Sequence, residues 1–384
     1  MEARAAQELE NLRARAQSRS LQNLSGIDLC SNDYLGLASD PRLKQAVTAA
    51  LAEAKSVGST GSRLLSGNSP HWEDLESEFA NFAQTEAALY FGSGYSANVG
   101  LLSAVLKPGD IVFSDALNHA SLIDGIRLAR ATKEIYPHND MAVLESALHR
   151  HSRSTGAKII VTESVFGMEG DLARLDDLLH LAHDHDAEII LDEAHATGAF
   201  GPEGRGLAAE RGVTSKTLAV IHTCGKALAS AGAFVCCSET LKDYLVNRAR
   251  TFVFSTAMPP YFAGQIRAAL HLAIEADEAR ACLREISEQL RVKLSAAGVP
   301  CGASASQIIP VFCGTNESAL ALASHLQDCG FAVRAIRPPT VPPGTARVRL
   351  SLTAKITRDD VERLVSTICP AFASFPSRAA AIHA

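Results

Sequence analysis

EIILDEAHATG, residues 188–198, is the stretch from which the fold is read. Its apolar run Ile189-Ile190-Leu191 fits a buried strand, predicted over Glu188–Asp192. The strand ends on a carboxylate, and His195 follows three residues later. In open parallel sheets ligands bind beyond the carboxyl ends of the strands, so Asp192 sits where a ligand would. A partly buried carboxylate there needs a cationic partner, and a protonated pyridine nitrogen would serve. The alternative is that Asp192 only caps the following turn.

Outward from this stretch, short apolar runs alternate with helical stretches. Strands are expected at Ala87–Phe91, Ile111–Ser114, Thr132–Tyr136, Lys158–Glu163, Leu218–Thr223 and Ala231–Cys236. Helices are expected at 95–106, 119–130, 140–152 and 175–186. Asp40-Pro41 and Ser69-Pro70 each place a capping side chain before a proline that suits the first helical turn. The alternation predicts an α/β fold: a large domain with a mostly parallel seven-stranded sheet flanked by helices. A long helix, unbroken or interrupted, is expected from Pro259 to about Ala297. It leads to a smaller C-terminal α/β domain with strands near Gln307–Phe312, Ala332–Ala335 and Arg347–Leu350 and helices at 316–328 and 357–368. The expected division is an N-terminal helix and arm (1–40), a large domain (41–270) and a C-terminal domain (271–384). The tail SRAAAIHA is expected to be loose.

Composition sets bounds on partners. The chain has 384 residues, of which 47% are hydrophobic and 20% charged, enough apolar material for a large core. Its formal charge of −6 offers no basic face for nucleic acid. No charge-free apolar run is long enough to span a bilayer, because Lys226 interrupts the most apolar window, Leu218–Cys237. The charged, helix-forming N-terminus does not read as a signal peptide. Nine cysteines, an odd number without C-x-x-C spacing, fit free thiols in a reducing cytoplasm.

Three motifs imply less than they suggest. FGSGYSA (91–97) matches a dinucleotide fingerprint, with Asp115 about 20 residues on, but its physical content is a helix N-terminus open to a phosphate. DEAH (192–195) echoes a helicase box, yet Gly225-Lys226 is followed by Ala227 and Val220 stands where a phosphate loop needs glycine. His180, His183 and His185 could ligate a metal. They fall at the end of an amphipathic helix, where polar residues face water, and no metal is expected.

The chemistry converges elsewhere. Lys226 lies just beyond a strand and is the only charged residue between 218 and 238. It is either a surface-seeking lysine or a desolvated amine able to form a Schiff base. His119, after the strand ending near Ser114-Asp115, is either structural or an imidazole that stacks on a flat ring. A phosphate cradle at Gly94 and Tyr95, the imidazole, a carboxylate for a ring nitrogen and an isolated lysine together form the parts list for pyridoxal phosphate.

From about Ser31 to Leu352 the chain resembles the α-oxoamine synthase family of fold type I pyridoxal-phosphate enzymes. The motifs that carry the resemblance are SNDYLGL (31–37), GSTGSRLLSGN (58–68), SGYSAN (93–98), NHASLIDG (118–125), TESVFGMEGD (162–171), LDEAHATG (191–198), TCGKA (223–227), FSTAMPP (254–260) and AIRPPTVPPGTARVRL (335–350). Family members condense glycine, alanine or serine with an acyl thioester. The last block is most similar to the branch that joins L-alanine to a pimeloyl thioester in biotin synthesis, and Ser62 is compatible with alanine. Glycine C-acetyltransferases and serine palmitoyltransferase-like enzymes are the alternatives within the family. A non-catalytic relative that only pairs with an active subunit would not need Lys226, Asp192 and both histidines.

By resemblance Lys226 would hold the cofactor as a Schiff base, Asp192 would pair with the pyridinium nitrogen, His195 with the ring's phenolic oxygen, and His119 would stack on the ring. Gly94, Tyr95 and Thr223 would bind its phosphate, and Ser255 and Thr256 would reach the phosphate of a neighbouring subunit in a homodimer. Arg349 would hold the amino-acid carboxylate with Asn32 nearby. Thr340 would contact substrate, and Arg19 is the candidate for contacting the thioester, carried on coenzyme A or an acyl carrier protein. The chain departs from many relatives at Gly167, where they carry serine, and at Cys224 before Gly225-Lys226.

Overall fold

A computed structural model describes residues 1–373. The chain divides into two compact units. The larger comprises Leu35–Phe166 and Leu172–Arg280; the smaller comprises Met1–Tyr34, Gly167–Asp171 and, among the described residues, 281–373. This differs from the expected three-part division. The N-terminal arm belongs with the C-terminal residues because Ile27–Asp28 pairs in parallel with Phe331–Ala332. The boundary falls inside the helix Asp277–Ala296.

The larger unit is built on seven strands: β1 (Ala87–Phe91), β2 (Ile111–Asp115), β3 (Thr132–Tyr136), β4 (Lys158–Glu163), β5 (Glu188–Asp192), β6 (Ala219–Thr223) and β7 (Ala233–Cys237). They form one sheet in the order β1-β7-β6-β5-β4-β2-β3. Only β7 runs against the direction of the other six strands, so the expectation of a mostly parallel sheet holds. Every residue of β1, β2, β6 and β7 is buried. Such continuously apolar strands are covered on both faces. Two clusters of buried residues supply the cover: one holds Leu101, Leu122 and Phe252, the other Leu144, Leu178 and Leu207.

Helices follow the sequence closely. In Pro70–Ala83, residues Trp72, Leu75, Phe79 and Phe82 recur at helical spacing and are buried. Each such side chain contributes about 1.5–3 kcal/mol relative to exposure. Asp40 caps its helix by accepting the Arg42 amide at 2.8 Å. Ser69 does not cap in the same way: its backbone carbonyl takes the Trp72 amide at 3.0 Å, and its hydroxyl is buried without a partner. The long helix expected from Pro259 is two, Tyr261–Ile274 and Asp277–Ala296.

The smaller unit carries an antiparallel sheet in the order Ala335–Ile336, Ala346–Ser351, Ile308–Gly314, with helices Asn316–Asp328 and Arg358–Ala373. The single strand expected at Ala332–Ala335 is two short strands, Phe331–Ala332 and Ala335–Ile336, in different sheets. The tail 377–384 lies outside the described residues. Among those described, no helix is long and apolar enough to cross a membrane.

Candidate active site

The parallel register places the carboxyl ends of β4, β5 and β6 side by side: Glu163 is opposite Asp192, and Asp192 is opposite Ile221. A cavity of about 190 Å³ opens there. Gly94, Tyr95, Asn98, His119, Ser121, Glu163, Asp192, His195, Thr223 and Lys226 are on its wall. Six of the residues expected to bind a cofactor, and Lys226, therefore meet in one place.

Each is placed by its element. Gly94 opens the helix Gly94–Val105, which Ser93 caps by accepting the Ser96 amide at 3.0 Å. The Ala97 amide bonds the Ser93 carbonyl. Of the first-turn amides without an intrahelical acceptor, those of Gly94 and Tyr95 are left for a ligand. Thr223 ends β6, and its hydroxyl donates to the Gly232 carbonyl at 3.3 Å. Lys226 lies three residues beyond β6, in the turn that reverses the chain into β7, and its Nζ is 2.7 Å from His195 Nε2.

Asp192 is buried, with Oδ1 accepting the Ala194 amide at 2.8 Å and Oδ2 accepting Asn98 Nδ2 at 2.6 Å. The Ala194 bond is the turn contact of the alternative reading, and it occupies only one of the two oxygens. His119 caps the helix Ala120–Ala129, and its own amide donates to Glu163 Oε1 at 2.6 Å. Burial lowers the pKa of its imidazole; the Asp192 charge opposes this and the Lys226 charge adds to it. Glu193, fully buried behind Asp192, is pushed up to about 7 by burial. Cys224 is buried, which pushes its thiol far above the ordinary range.

Ser255 and Thr256 are not in this cavity. They line a second one of about 280 Å³ in the same unit, with Ser93 and Ser96. Ser62 bridges to Thr256 beside it. In the smaller unit, Arg349 is buried in the strand Ala346–Ser351. Its Nε donates to the Gly167 carbonyl at 2.5 Å, and Nη2 donates to Asn32 Oδ1 at 3.0 Å. Asn32 Oδ1 also accepts from Ser351 and from the Tyr34 hydroxyl, each at 3.2 Å. Arg19 Nη2 donates to Thr340 Oγ1 at 2.8 Å. Arg19, Arg334 and Arg337 line a cavity of about 510 Å³ in that unit.

Sequence reasoning assigned no role to Asn98, Ser121 or Glu163, although all three stand inside quoted motifs. The signal was their position within seven residues of a strand end. The histidines 180, 183 and 185 fall at the end of the helix Leu175–Asp184. Among the described residues no group of three or more metal-ligating side chains occurs.

Comparison with known proteins places this geometry. The model of the family "Aminotransferase class I and II" matches residues 25–368. The chain is 43% identical to 8-amino-7-oxononanoate synthase of Marinobacter nauticus, over 92% of this chain and 88% of that one. Among solved structures it is similar to 8-amino-7-oxononanoate synthase from Francisella tularensis, with 28% identity, 91% and 98% of the two chains covered and a TM-score of 0.79. A variant of serine palmitoyltransferase from S. paucimobilis with a bound PLP–myriocin aldimine matches with 28% identity, 96% of each chain and a TM-score of 0.88. The chain belongs to the aminotransferase class I and II family. Its resemblance to the α-oxoamine synthases is borne out by these relatives.

The donor set fits pyridoxal phosphate. A carboxylate with oxygens fixed by two donors suits a protonated ring nitrogen. Two unclaimed helix amides and a threonine suit a phosphate. An amine on the same wall suits an aldehyde.

Proposed function

We propose that this chain is a pyridoxal-phosphate-dependent acyltransferase that condenses L-alanine with a pimeloyl thioester, giving 8-amino-7-oxononanoate, CO₂ and the free thiol. The observation that carries the reading is the Lys226–His195 contact, on one cavity wall with buried Asp192, His119 and the amides of Gly94 and Tyr95. The 43% identity to the Marinobacter nauticus enzyme over most of both chains supports the choice of substrates.

Lys226 would hold the cofactor through Nζ, Asp192 would pair with its ring nitrogen, and Gly94, Tyr95 and Thr223 would bind its phosphate. When bound, pyridoxal phosphate supplies an electron sink for the amino acid's α-carbon. Asp192 would keep a proton on the ring nitrogen by charge pairing. With its Nζ released from the cofactor by the incoming amino group, Lys226 would take the α-proton of alanine, and His195 Nε2 would hold that Nζ in place. Arg349, its guanidinium braced by Gly167 and Asn32, binds the alanine carboxylate. Arg19 and Thr340 contact the acyl thioester, and the arginine-lined cavity beside Arg19 supports an anionic acyl carrier, coenzyme A or carrier protein.

We propose further that the enzyme is a cytoplasmic homodimer in which Ser255 and Thr256 reach the partner's cofactor phosphate. All nine cysteines are free. Leu65 and Phe254 are 83% and 72% exposed, on two segments joined by the Ser62–Thr256 bridge. Exposed apolar side chains grouped in this way favour an interface.

A panel of acyl thioesters crossed with alanine, glycine and serine tests the reading by thiol release. Pimeloyl thioester with alanine should be fastest. The similarity to serine palmitoyltransferase favours a second reading, in which serine with a long-chain thioester turns over fastest, and that result would replace the first.

A further inference from the structure

We propose that Asn98 and Ser121 are positioning residues that join the Asp192 carboxylate to the His119 imidazole and hold that imidazole neutral, with its proton on Nε2. Both side chains are buried, Asn98 at 2% exposure and Ser121 at 0%. Asn98 Nδ2 lies 2.6 Å from Asp192 Oδ2 and 2.9 Å from Ser121 Oγ. A carboxylate only accepts, so the amide nitrogen must be the atom that faces it, and its two hydrogens are used by these two bonds. Ser121 Oγ therefore accepts from Asn98 and has one hydrogen to give. Its next neighbour is His119 Nδ1 at 2.7 Å. The Ser121 backbone amide also points at Nδ1, at 3.3 Å. Two donors converge on one ring nitrogen, which must then present its lone pair. In a neutral imidazole the proton is left on Nε2.

Protonating Nδ1 would set an N–H against the Ser121 amide and turn the hydroxyl round. A buried donor would lose its acceptor. The charged groups around the ring do not outweigh this. Asp192, on β5, favours the cation; Lys226, beyond β6, disfavours it; burial exceeds both and lowers the pKa. Glu163, at the end of β4, is engaged by the His119 amide. From the helix Gly94–Val105, Tyr95 meets the imidazole edge-on at 6.4 Å, and its hydroxyl is bound to Asp124. The relay gives one unit from two separate motifs. The group that would pair with a ring nitrogen and the group that would stack on the ring face cannot shift independently. It also leaves Nε2–H as the only donor the imidazole presents.

The functional meaning rests on the pyridoxal-phosphate reading, but the tautomer is a property of the protein itself. Long-range ¹H–¹⁵N correlation on the ¹⁵N-histidine-labelled protein reads it, with and without pyridoxal phosphate, and His119→Asn assigns the signals. The wild type should show the Nε2–H pattern near neutral pH. Ser121→Ala should raise the ratio of protonated to neutral His119 at fixed pH about tenfold, one unit of pKa. Ser121→Thr, which keeps the hydroxyl, should restore the wild-type ratio. An Nδ1–H pattern in the wild type overturns the proposal, and so does a Ser121→Ala ratio equal to that of the wild type. If the Nε2–H pattern is present but no His119 signal moves when pyridoxal phosphate is added, the cofactor reading fails while the relay stands.

Discussion

The cavity of the larger unit and the Arg349 contacts of the smaller one are assembled in different ways. Every residue predicted for the cavity stands within four residues of a strand's carboxyl end: Asp192 and Thr223 at the last position, Gly94, His195 and Lys226 three beyond, His119 four beyond. A parallel sheet brings such ends together, so a short motif read along the chain becomes a site. Arg349 instead stands inside a strand, held by Gly167 and Asn32 from segments 182 and 317 residues away. No local pattern announces that meeting. Only family resemblance names Asn32 and Arg349 as candidates, and nothing in the sequence announces the five-residue excursion Gly167–Asp171 into the smaller unit.

The sharpest test of the difference is Asp192→Asn. If the cavity does the proton chemistry, loss of the carboxylate should slow exchange of the alanine α-proton into D₂O by about 10²–10³-fold, with cofactor affinity changed much less. Undiminished exchange would remove Asp192 from that role. Arg349→Lys addresses the other region. A lysine cannot reproduce a bidentate contact, so KM for alanine should rise roughly 10- to 100-fold, with little change for the thioester. Equal changes in both constants would break the assignment.

Smaller effects test the packing behind the cavity. A Cβ at Gly206, where φ is +106°, would lie 1.5 Å from Glu193 Oε2. Gly206→Ala should therefore cost about 2–4 kcal/mol in chemical denaturation. Gly212→Ala, at φ +64° with nothing within 4 Å, should cost about 1 kcal/mol. Equal costs would mean that the Glu193 carboxylate moves aside freely. Glu193 also has a pH signature. Its folded pKa, about 7, exceeds the ordinary 4.5, so the folded state holds the proton more tightly and stability falls as pH rises between those values. Glu193→Gln should flatten that fall. A pH profile of melting temperature identical to the wild type would contradict it.

Much of the larger unit was legible because buried parallel strands are written as continuous apolar runs. All seven expected strands are present within one or two residues, and the turn carrying Lys226 lies where the charge-free stretch placed it. The illegible parts depend on partners distant in sequence. Ser69 has the composition of a cap, but its backbone carbonyl takes the first-turn amides instead. Residues 332–335 look like one strand, but their two ends pair with different segments. The hydrogen bonds that join Asn98 to Ser121 and Asp192 form only once the helix Gly94–Val105 is set against β5 and the helix that His119 caps.

The attachment at Lys226 is tested most directly by reduction. Protein loaded with pyridoxal phosphate is treated with borohydride, digested with trypsin and weighed by mass spectrometry. The account predicts a single peptide, residues 217–242, left uncut after Lys226 and heavier by one reduced cofactor. A peptide cleaved and unmodified at Lys226, or the label on another lysine, would contradict it.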